Sequence, residues 1–429
     1  MFAPFLSPYA THEKRHARSY GFTLVELMVA MTGGLFLAIV VFALSRDASR
    51  FYQRETRVAN ATMAGVSGFE RLSSDVARAG HMTTANIQQD PHVCNVPQEN
   101  WPAMLGKLRA VVVENDATTY SGTELVAAGI QPKGIVIAGA LNTPEVLYTV
   151  KVIEAAGGGW DVLIDLTKPA AARLGLDPAP AKTATNLAIM QSIFMTPDGG
   201  RIVRLRWLGK DLYGVAASVS TATGEAKVTL AATPAITRVG TGGVQCGIDG
   251  LAVGLAVSVI DQVRYNIRSM TGDTGYAALF KASGLGTGGS SSGGLPYESG
   301  RAELVRVELT PAGQEIASTR EIVGEYAVDL QVSAWGATAA NNPLLVAVTA
   351  PLSNSYVSTQ WLRGLHLRLS VRSREADRDT DIVSTGAGGT NNDHYRIPLT
   401  NGAGGSPSYA RVRTFQSDVP LRNLENSNW

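Results

Sequence analysis

The sequence predicts an α+β fold. A long N-terminal helix, with an apolar half and an amphipathic half, packs on a large antiparallel β-rich C-terminal domain with insertions. Two observations favour this fold. An apolar run, Gly21–Leu44, is followed by apolar residues that recur mostly every three or four positions up to Ala79. From His81 onward, short β-type runs are separated by Gly, Pro, Asn and Asp.

The apolar run is long enough to cross a bilayer as a helix, and we assign residues 22–44 to a transmembrane or assembly part. One carboxylate, Glu26, lies inside it. A charged side chain at the bilayer centre costs about 2.5–3.5 kcal/mol on insertion scales, so such residues usually have a partner. A plain signal anchor with an incidental Glu is the other interpretation.

The polar half of the predicted helix carries one apolar stripe. Its members are Phe51, Val58, Met63, Val66, Phe69, Leu72, Val76 and Ala79. Because residues three and four apart share one face of a helix, we expect this stripe to pack on the domain. Gly80 is the expected C-cap, which predicts a helix from Phe22 to Ala79 within a segment 22–80.

Residues 81–429 are predicted to form the β-rich globular domain. The candidate strands are Arg109–Glu114, Gly134–Ala138, Val146–Ile153, Trp160–Leu166, Arg201–Leu208, Ala226–Leu230, Arg301–Leu309, Ala327–Ser333 and Gly364–Arg372. Alternation in Leu304–Leu309 and Leu365–Val371 predicts half-buried antiparallel strands. The region 155–217 reads as an insertion with its own strands. Segments 282–298 and 384–408 are predicted to be flexible loops, because neither can bury enough apolar surface.

Net charge limits the classes of partner, and the cysteine content bears on the cellular compartment of the protein. The formal net charge is +1, and no strongly basic face is implied, so we predict no nucleic-acid partner. If the apolar run anchors the protein, the remainder lies outside the cytoplasm, where a disulfide between Cys94 and Cys246 can persist. Two unpaired thiols are the alternative, since a sequence does not show proximity.

Motifs for catalysis or metal binding are weak. Three alternating carboxylates begin like a calcium loop but lack its Gly and its closing Glu: Asp377, Asp379 and Asp381. Three other residues match no standard metal spacing: His81, His92 and Cys94. Asp161 and Asp165 give no reason to form an acid–base pair. There is no nucleophile elbow and no HExxH. We therefore predict no enzyme activity and no cofactor.

The N-terminal residues resemble the class III signal and N-terminal helix of type IV pilins. The pattern is Gly21, then Phe22, then apolar residues with Glu26 at the fifth mature position. The resemblance implies that residues 1–21 are a leader, that a prepilin peptidase cuts after Gly21, and that the Phe22 amine is methylated. For Gly33 and Gly34, it implies a stretch that can melt in a fibre; close helix packing in the bilayer is the alternative.

Further segments are similar to the PilW family of minor pilins. They are Phe69–Gly80, Val259–Ile267, Ile322–Ser333, Leu362–Ser373 and Val412–Leu421. The resemblance implies a pilin-like fold and a minor pilin that primes polymerisation at the pilus tip. Before assembly it would sit in the bacterial inner membrane, with a cytoplasmic N-terminus and a periplasmic domain.

The resemblance also implies the partners. These are prepilin peptidase, other minor pilins, the major pilin and a PilY-type tip adhesin. Glu26 would pair with the Phe22 ammonium of a neighbouring subunit. Two other functions stay open at this point: a minor pseudopilin of a type II secretion system, and a membrane-anchored periplasmic enzyme or carbohydrate-binding module.

Overall fold

The computed structural model describes residues 23–94, 97–114, 130–222, 224–236, 246–248, 253–270, 273–276, 301–339, 342–348, 361–374, 396–399 and 408–425. By its internal packing the chain divides into two units, Met1–Thr56 and Arg57–Trp429. Helix α1 (Leu24–Ala77) begins in the first unit and ends in the second. Its two ends lie within two residues of the predicted bounds, so the long helix is confirmed.

The first part of α1 presents its apolar side chains outward. Leu24, Phe36 and Phe42 are each more than 70% exposed. By length and composition, α1 is the one helix among the described residues that could cross a membrane. Exposure of so much apolar surface to water is unfavourable. A bilayer or other apolar helices would remove that cost by covering it.

Among the described residues, four short α-helices follow: α2 (Ala103–Gly106), α3 (Pro169–Arg173), α4 (Thr183–Phe194) and α5 (Arg422–Glu425). The strands of the first half are β1 (Val111–Glu114), β2 (Gly134–Gly139), β3 (Leu147–Glu154), β4 (Trp160–Ile164), β5 (Met195–Thr196), β6 (Gly199–Gly200), β7 (Ile202–Trp207), β8 (Lys210–Ala222) and β9 (Glu225–Leu230). Those of the second half are β10 (Ala256–Arg268), β11 (Glu303–Glu308), β12 (Glu321–Gly324), β13 (Ala327–Ala339), β14 (Asn342–Val348), β15 (Leu362–Arg372), β16 (Arg396–Leu399) and β17 (Ser408–Pro420).

Six of these strands form a closed antiparallel barrel. β3 pairs with β4, β4 with β9, β9 with β8, β8 with β7, and β7 with the first part of β10. The ring closes where β10 pairs with β3, with Ala256 opposite Tyr148. Apolar side chains fill the barrel, and α4 adds Met190 and Phe194 to that core. Because the ring is closed, each of these six strands has a paired neighbour on both sides, so the ring has no edge strand.

A second layer holds the end of α1. The second part of β10 leaves the barrel and pairs with β2 and β11, which continue to β1 and β12. A separate sheet has the order β14-β13-β15-β17-β16. Leu72, Val76 and Ala79 of the helix segment are fully buried in one core with side chains from both sheets. Strand β10 therefore belongs to the barrel and to the helix-binding layer.

The face of α1 that packs on the domain differs from the predicted stripe. Three members of that stripe are exposed: Phe51, Met63 and Val66. Gly65 and Gly68 are buried instead, and a Cβ added at Gly68 would lie 2.4 Å from the carbonyl oxygen of Val323. Contact is made by glycines because they let the helix backbone approach the sheet. An apolar pattern does not count such residues, which is why the prediction was wrong there.

One alternation prediction is confirmed except at Ser370, which is buried, and the other is wrong. In β15, Leu367 is fully buried while its neighbour His366 is partly exposed. In β11 both faces are buried, including the charged Arg306 and Glu308. The alternation predicts that Arg306 and Glu308 face solvent, but in β11 both form ion pairs within the fold.

The region 155–217 contributes β4 and β7, as predicted, and also the unpredicted strands β5, β6 and the start of β8 and the unpredicted helices α3 and α4. Its strands belong to the barrel together with β3 and β10. The predicted loops 282–298 and 384–408 lie outside the described residues. So do Asp377, Asp379 and Asp381.

Candidate assembly site

Glu26 lies in the first turn of α1 and is held by Thr23. The Thr23 N–H and hydroxyl both donate to Glu26 Oε2, each at 3.0 Å. The Glu26 N–H donates to the Thr23 Oγ1 at 3.2 Å. This reciprocal arrangement is a capping box, which satisfies backbone donors that a helix start leaves unpaired. Among the described residues, Glu26 Oε1 accepts no hydrogen bond.

The predicted cleavage residues, Gly21 and Phe22, lie outside the described residues. Further along the helix, a Cβ added at Gly33 or Gly34 would meet no atom within 4 Å beyond the neighbouring helix backbone. Packing within the described part of the chain therefore does not require a glycine at either position.

At its other end, α1 is fixed by a buried charge pair that the sequence reading did not single out. The Asp75 carboxylate oxygen Oδ2 accepts a hydrogen bond from the Tyr265 hydroxyl at 2.7 Å and from Arg306 Nε at 2.9 Å. Tyr265 lies on β10 and Arg306 on β11, and all three side chains are at least 94% buried. Burial, reinforced by the Asp75 carboxylate, raises the pKa of the Tyr265 phenol, so Tyr265 remains a donor.

The residues at and just after the end of α1 are tied to β2 and to the C-terminal helix α5. Gly80 has a φ of +77°, a left-handed conformation that favours glycine, and its N–H donates to Ala138 O at 2.9 Å. The Asn423 side chain donates to the carbonyls of Ala77 and Ala79 at 3.4 and 3.2 Å. Helix-end carbonyls are thus satisfied from the chain's last described segment.

A second buried cluster lies where β10 passes from the barrel to the helix-binding layer. Arg201 is paired with Asp261, and its other terminal nitrogen lies 3.0 Å from Glu308 Oε2. Asn142 donates its backbone N–H to Asp261 and its side-chain amide to Glu308, each at 2.8 Å. Burial raises the pKa of Asp261, and the Arg201 guanidinium opposes that rise. The cluster joins the two layers by charge-assisted hydrogen bonds.

Cys94 and Cys246 are joined by a disulfide, with a Cα–Cα distance of 5.2 Å. The Cys94 N–H also donates to the Asp211 carbonyl at the start of β8. The bridge spans 152 positions of sequence and fastens the segment before β10 to this part of the barrel. In the chain-entropy account, a bridge across so long a loop stabilises the fold by about 4–5 kcal/mol.

The other candidate residues do not converge. Within the described ranges, no group of three or more His, Cys, Asp or Glu side chains could hold a metal ion. Asp161 accepts from Lys227 and Thr229, whereas Asp165 accepts from Thr167. These two carboxylates therefore serve separate local contacts.

The sequence held one signal for the missed charge pair. Asp75 follows Leu72 by three positions and precedes Val76, so it lies on the apolar face of the predicted helix. A carboxylate in that position must be paired when the face is buried. Nothing in the sequence identified Tyr265 and Arg306 as its partners.

Comparison with known proteins gave no match to any protein-family model, curated protein or solved structure. Function is therefore inferred from the chain's own residues.

Proposed function

We propose that this chain is a minor pilin of a type IV pilus, similar to the PilW family, with a non-catalytic role in assembly. Prepilin peptidase removes residues 1–21, and Phe22 becomes the methylated N-terminus. The helix holds the subunit in the inner membrane until it enters the fibre beside other minor pilins and the major pilin. The β-rich domain then lies at the pilus tip, where it can carry a PilY-type adhesin.

One observation carries this proposal: a carboxylate in the first helical turn, in register with a Gly-Phe junction. Gly21 and Phe22 precede Glu26 at the spacing of the pilin signal. Glu26 is held through Oε2 by Thr23, and no described residue donates to its Oε1. The carboxylate is thus fixed in direction while one oxygen can accept a donor from another molecule.

The expected donor is the Phe22 ammonium of a neighbouring subunit. In the low dielectric of a bilayer or a helix bundle, attraction between the two charges is far stronger than in water. It can offset the loss of hydration only when the geometry is good and the remaining lone pairs are satisfied. The two Thr23 donors contribute to that satisfaction. Pairing of this kind would set the axial register between subunits.

The exposed first part of α1 supports the same function. Its apolar side chains are not covered by the described part of the chain, whereas the later turns are buried against the sheets. A helix of this kind suits a subunit that exchanges lipid for the helices of other subunits.

Mass spectrometry of the mature N-terminus tests the proposal. We expect a chain that begins at Phe22 and carries one methyl group. Gly21→Val should leave the chain unprocessed, because the peptidase requires a small residue there. A wild-type chain that keeps residues 1–21, or a Gly21→Val chain that is cut normally, would contradict the proposal.

The alternative function, a minor pseudopilin of a type II secretion system, would have the same kind of cleavage signal and N-terminal helix. A deletion strain separates the two functions: a pilus role predicts loss of surface pili and twitching with secretion intact. Loss of secretion with normal pili would assign the chain to the secretion system instead.

Glu26→Ala tests the role of the carboxylate. We expect normal cleavage but loss of the chain from purified fibres, because no carboxylate would face the neighbouring ammonium. Glu55→Ala, an exposed acidic position further along the same helix, is the control and should assemble normally. Normal incorporation of the Glu26 variant would exclude the proposed register role.

A further inference from the structure

Outside α1, exposed large apolar side chains of the described residues gather at one place on the barrel. They are Tyr148, Val150, Leu208 and Val253, which we call the rim patch. Their exposed fractions run from 38% for Tyr148 to 73% for Leu208. A cluster of this kind on an otherwise well-covered domain marks an interaction surface more often than scattered single residues do.

Strand register brings these four residues together. Ala256, the first residue of β10, pairs with Tyr148 on one side and with Arg206 on the other. Just before it, the Gly254 N–H donates to Thr149 O at 2.7 Å. Val253 therefore lies beside Val150, and Leu208, which follows β7, lies at the same end of the barrel. The rim patch thus combines residues of β3, the segment just before β10 and the turn after β7.

A β-bulge turns Val150 outward. The pairing of β3 with β4 shifts register between Thr149 and Lys151. Thr149 is buried, whereas Val150 and Lys151 are both exposed. Bulges place two successive residues opposite one and redirect a side chain, and they are frequent beside functional surfaces.

The turn between β7 and β8 exposes Leu208 in an unfavourable backbone conformation. Leu208 has a φ of +48° and Gly209 a φ of +80°. Two-residue hairpin turns with positive φ at both positions favour Asn, Asp or Gly, because other residues meet steric repulsion there. Leu208 is also 73% exposed, so burial within the described fold does little to offset this strain. A leucine at this position is best explained by a contact outside the chain.

Cationic side chains border the rim patch. Lys151 and Arg206 are exposed. Arg206 Nε lies 3.8 Å from Asp211 Oδ1, and the Asp211 carboxylate already accepts a hydrogen bond from Arg204 at 2.7 Å. A broad apolar centre that contains a tyrosine, with positive charge at its edge, has the anatomy of a protein–protein interface. The charge complementary to that edge is negative.

We propose that the rim patch binds another subunit of the fibre through an apolar surface bordered by carboxylates. This inference rests on the proposed function. Leu208 and Val150 supply apolar contact, while Lys151 and Arg206 favour a partner with an acidic border and exclude one with a basic border.

Site-specific photocross-linking in cells tests the proposal on the full chain. A photoreactive amino acid replaces Val253, and the same residue at Ser220, an exposed position in the β8–β9 hairpin, is the control. We expect the Val253 probe to give one protein adduct, joined to an acidic segment of another fibre subunit, at least tenfold above the Ser220 probe. Peptide mapping of the adduct identifies the segment.

Two variants show whether the rim patch itself makes the contact. Leu208→Asn should lower the adduct at least tenfold without lowering the melting temperature, because asparagine tolerates a left-handed turn. Lys151→Glu with Arg206→Glu should lower it by a similar factor through repulsion. An adduct that is unchanged in both variants would overturn the proposal.

Other outcomes also decide against the rim patch. A lipid adduct, an adduct only to a second copy of this chain, or no signal above the Ser220 probe would each overturn it. Processing at Gly21 is measured in the same cells. An unprocessed chain that still gives the specific adduct contradicts the minor-pilin proposal alone. A processed chain that enters fibres without the adduct contradicts the rim patch alone.

Discussion

Helix α1 contains two glycine pairs whose surroundings differ. Gly65 and Gly68 face the domain, and a Cβ at either would lie within 2.6 Å of Phe415 or Val323 atoms. Around Gly33 and Gly34, apart from the adjacent helix backbone, a Cβ would meet nothing within 4 Å. The later pair is explained by packing within the fold. Packing within the described fold does not explain the earlier pair. The proposed function explains it either by close contact with other helices or by a need to lower helix stability.

The largest effect is expected from the buried pair that fixes the later part of α1. Asp75→Ala should lower the free energy of unfolding by about 3–5 kcal/mol, because it leaves the Arg306 charge buried without its partner. Urea unfolding of the full chain in detergent, followed by fluorescence, measures the loss.

Two further variants make that test specific. Glu70→Ala, at an exposed position of the same helix, should change stability by less than about 0.5 kcal/mol. Asp75→Leu combined with Arg306→Met and Tyr265→Phe should recover most of the loss, since these apolar side chains leave neither a charge nor the Tyr265 hydroxyl unpaired. A triple variant as unstable as Asp75→Ala would show that the charge pair is not the cause.

Gly68→Ala should have the next largest effect, about 1–3 kcal/mol of destabilisation, because the new Cβ would meet a backbone carbonyl that cannot rotate away. Gly65→Ala meets mainly the Phe415 ring and should cost less. Thermal unfolding of the two variants ranks them. The reverse order would indicate that the sheet, and not the ring, adjusts more easily.

Gly33→Ala with Gly34→Ala should act in the opposite direction. Helix propensity increases by about 1 kcal/mol per substitution, while the unfolding of the β-rich domain stays unchanged. Hydrogen exchange of residues 24–44 in lipid nanodiscs should slow severalfold. If the stretch must melt in the fibre, the variant is cleaved normally but enters fibres less. Faster exchange would exclude a propensity effect.

The smallest effect is expected at the start of the helix. Thr23→Val removes the capping side chain and should destabilise the first turn by about 1 kcal/mol. Thr23→Ser keeps the hydroxyl and serves as the matched control. Hydrogen exchange at residues 24–28 reports the change. Equal exchange in the two variants would mean that the capping box adds nothing to helix stability.

Local patterns predicted α1 well because a helix is specified by neighbours three and four positions apart. Both ends were placed within two residues of the structure, and Gly80 has the predicted left-handed conformation. The same reading failed at Gly65 and Gly68, since close backbone approach depends on the shape of the facing sheet. Glycine carries no apolar signal that a periodic pattern could count.

The barrel could not be read from the sequence because it closes through distant pairings. Ala256 pairs with Tyr148 across more than a hundred positions, and no local pattern specifies that partner. Proximity of Cys94 and Cys246 is equally non-local, because 152 positions separate them. The partners of Asp75 lie on two strands that follow it by 190 and 231 positions, so their convergence is likewise a property of the fold.

The shared strand β10 has a mechanical consequence. It is a single 13-residue strand, with Ala256–Ile260 in the barrel and Asp261–Arg268 beside the helix segment. A force applied to the rim patch along this strand would act in shear on the backbone hydrogen bonds that join β10 to β2, β7 and β11. These bonds would share the force at the same time and would not break one after another. The tension would pass along one continuous backbone to Tyr265, and from there to Asp75 on α1. Force that arrives at the barrel is thus delivered directly to the helix.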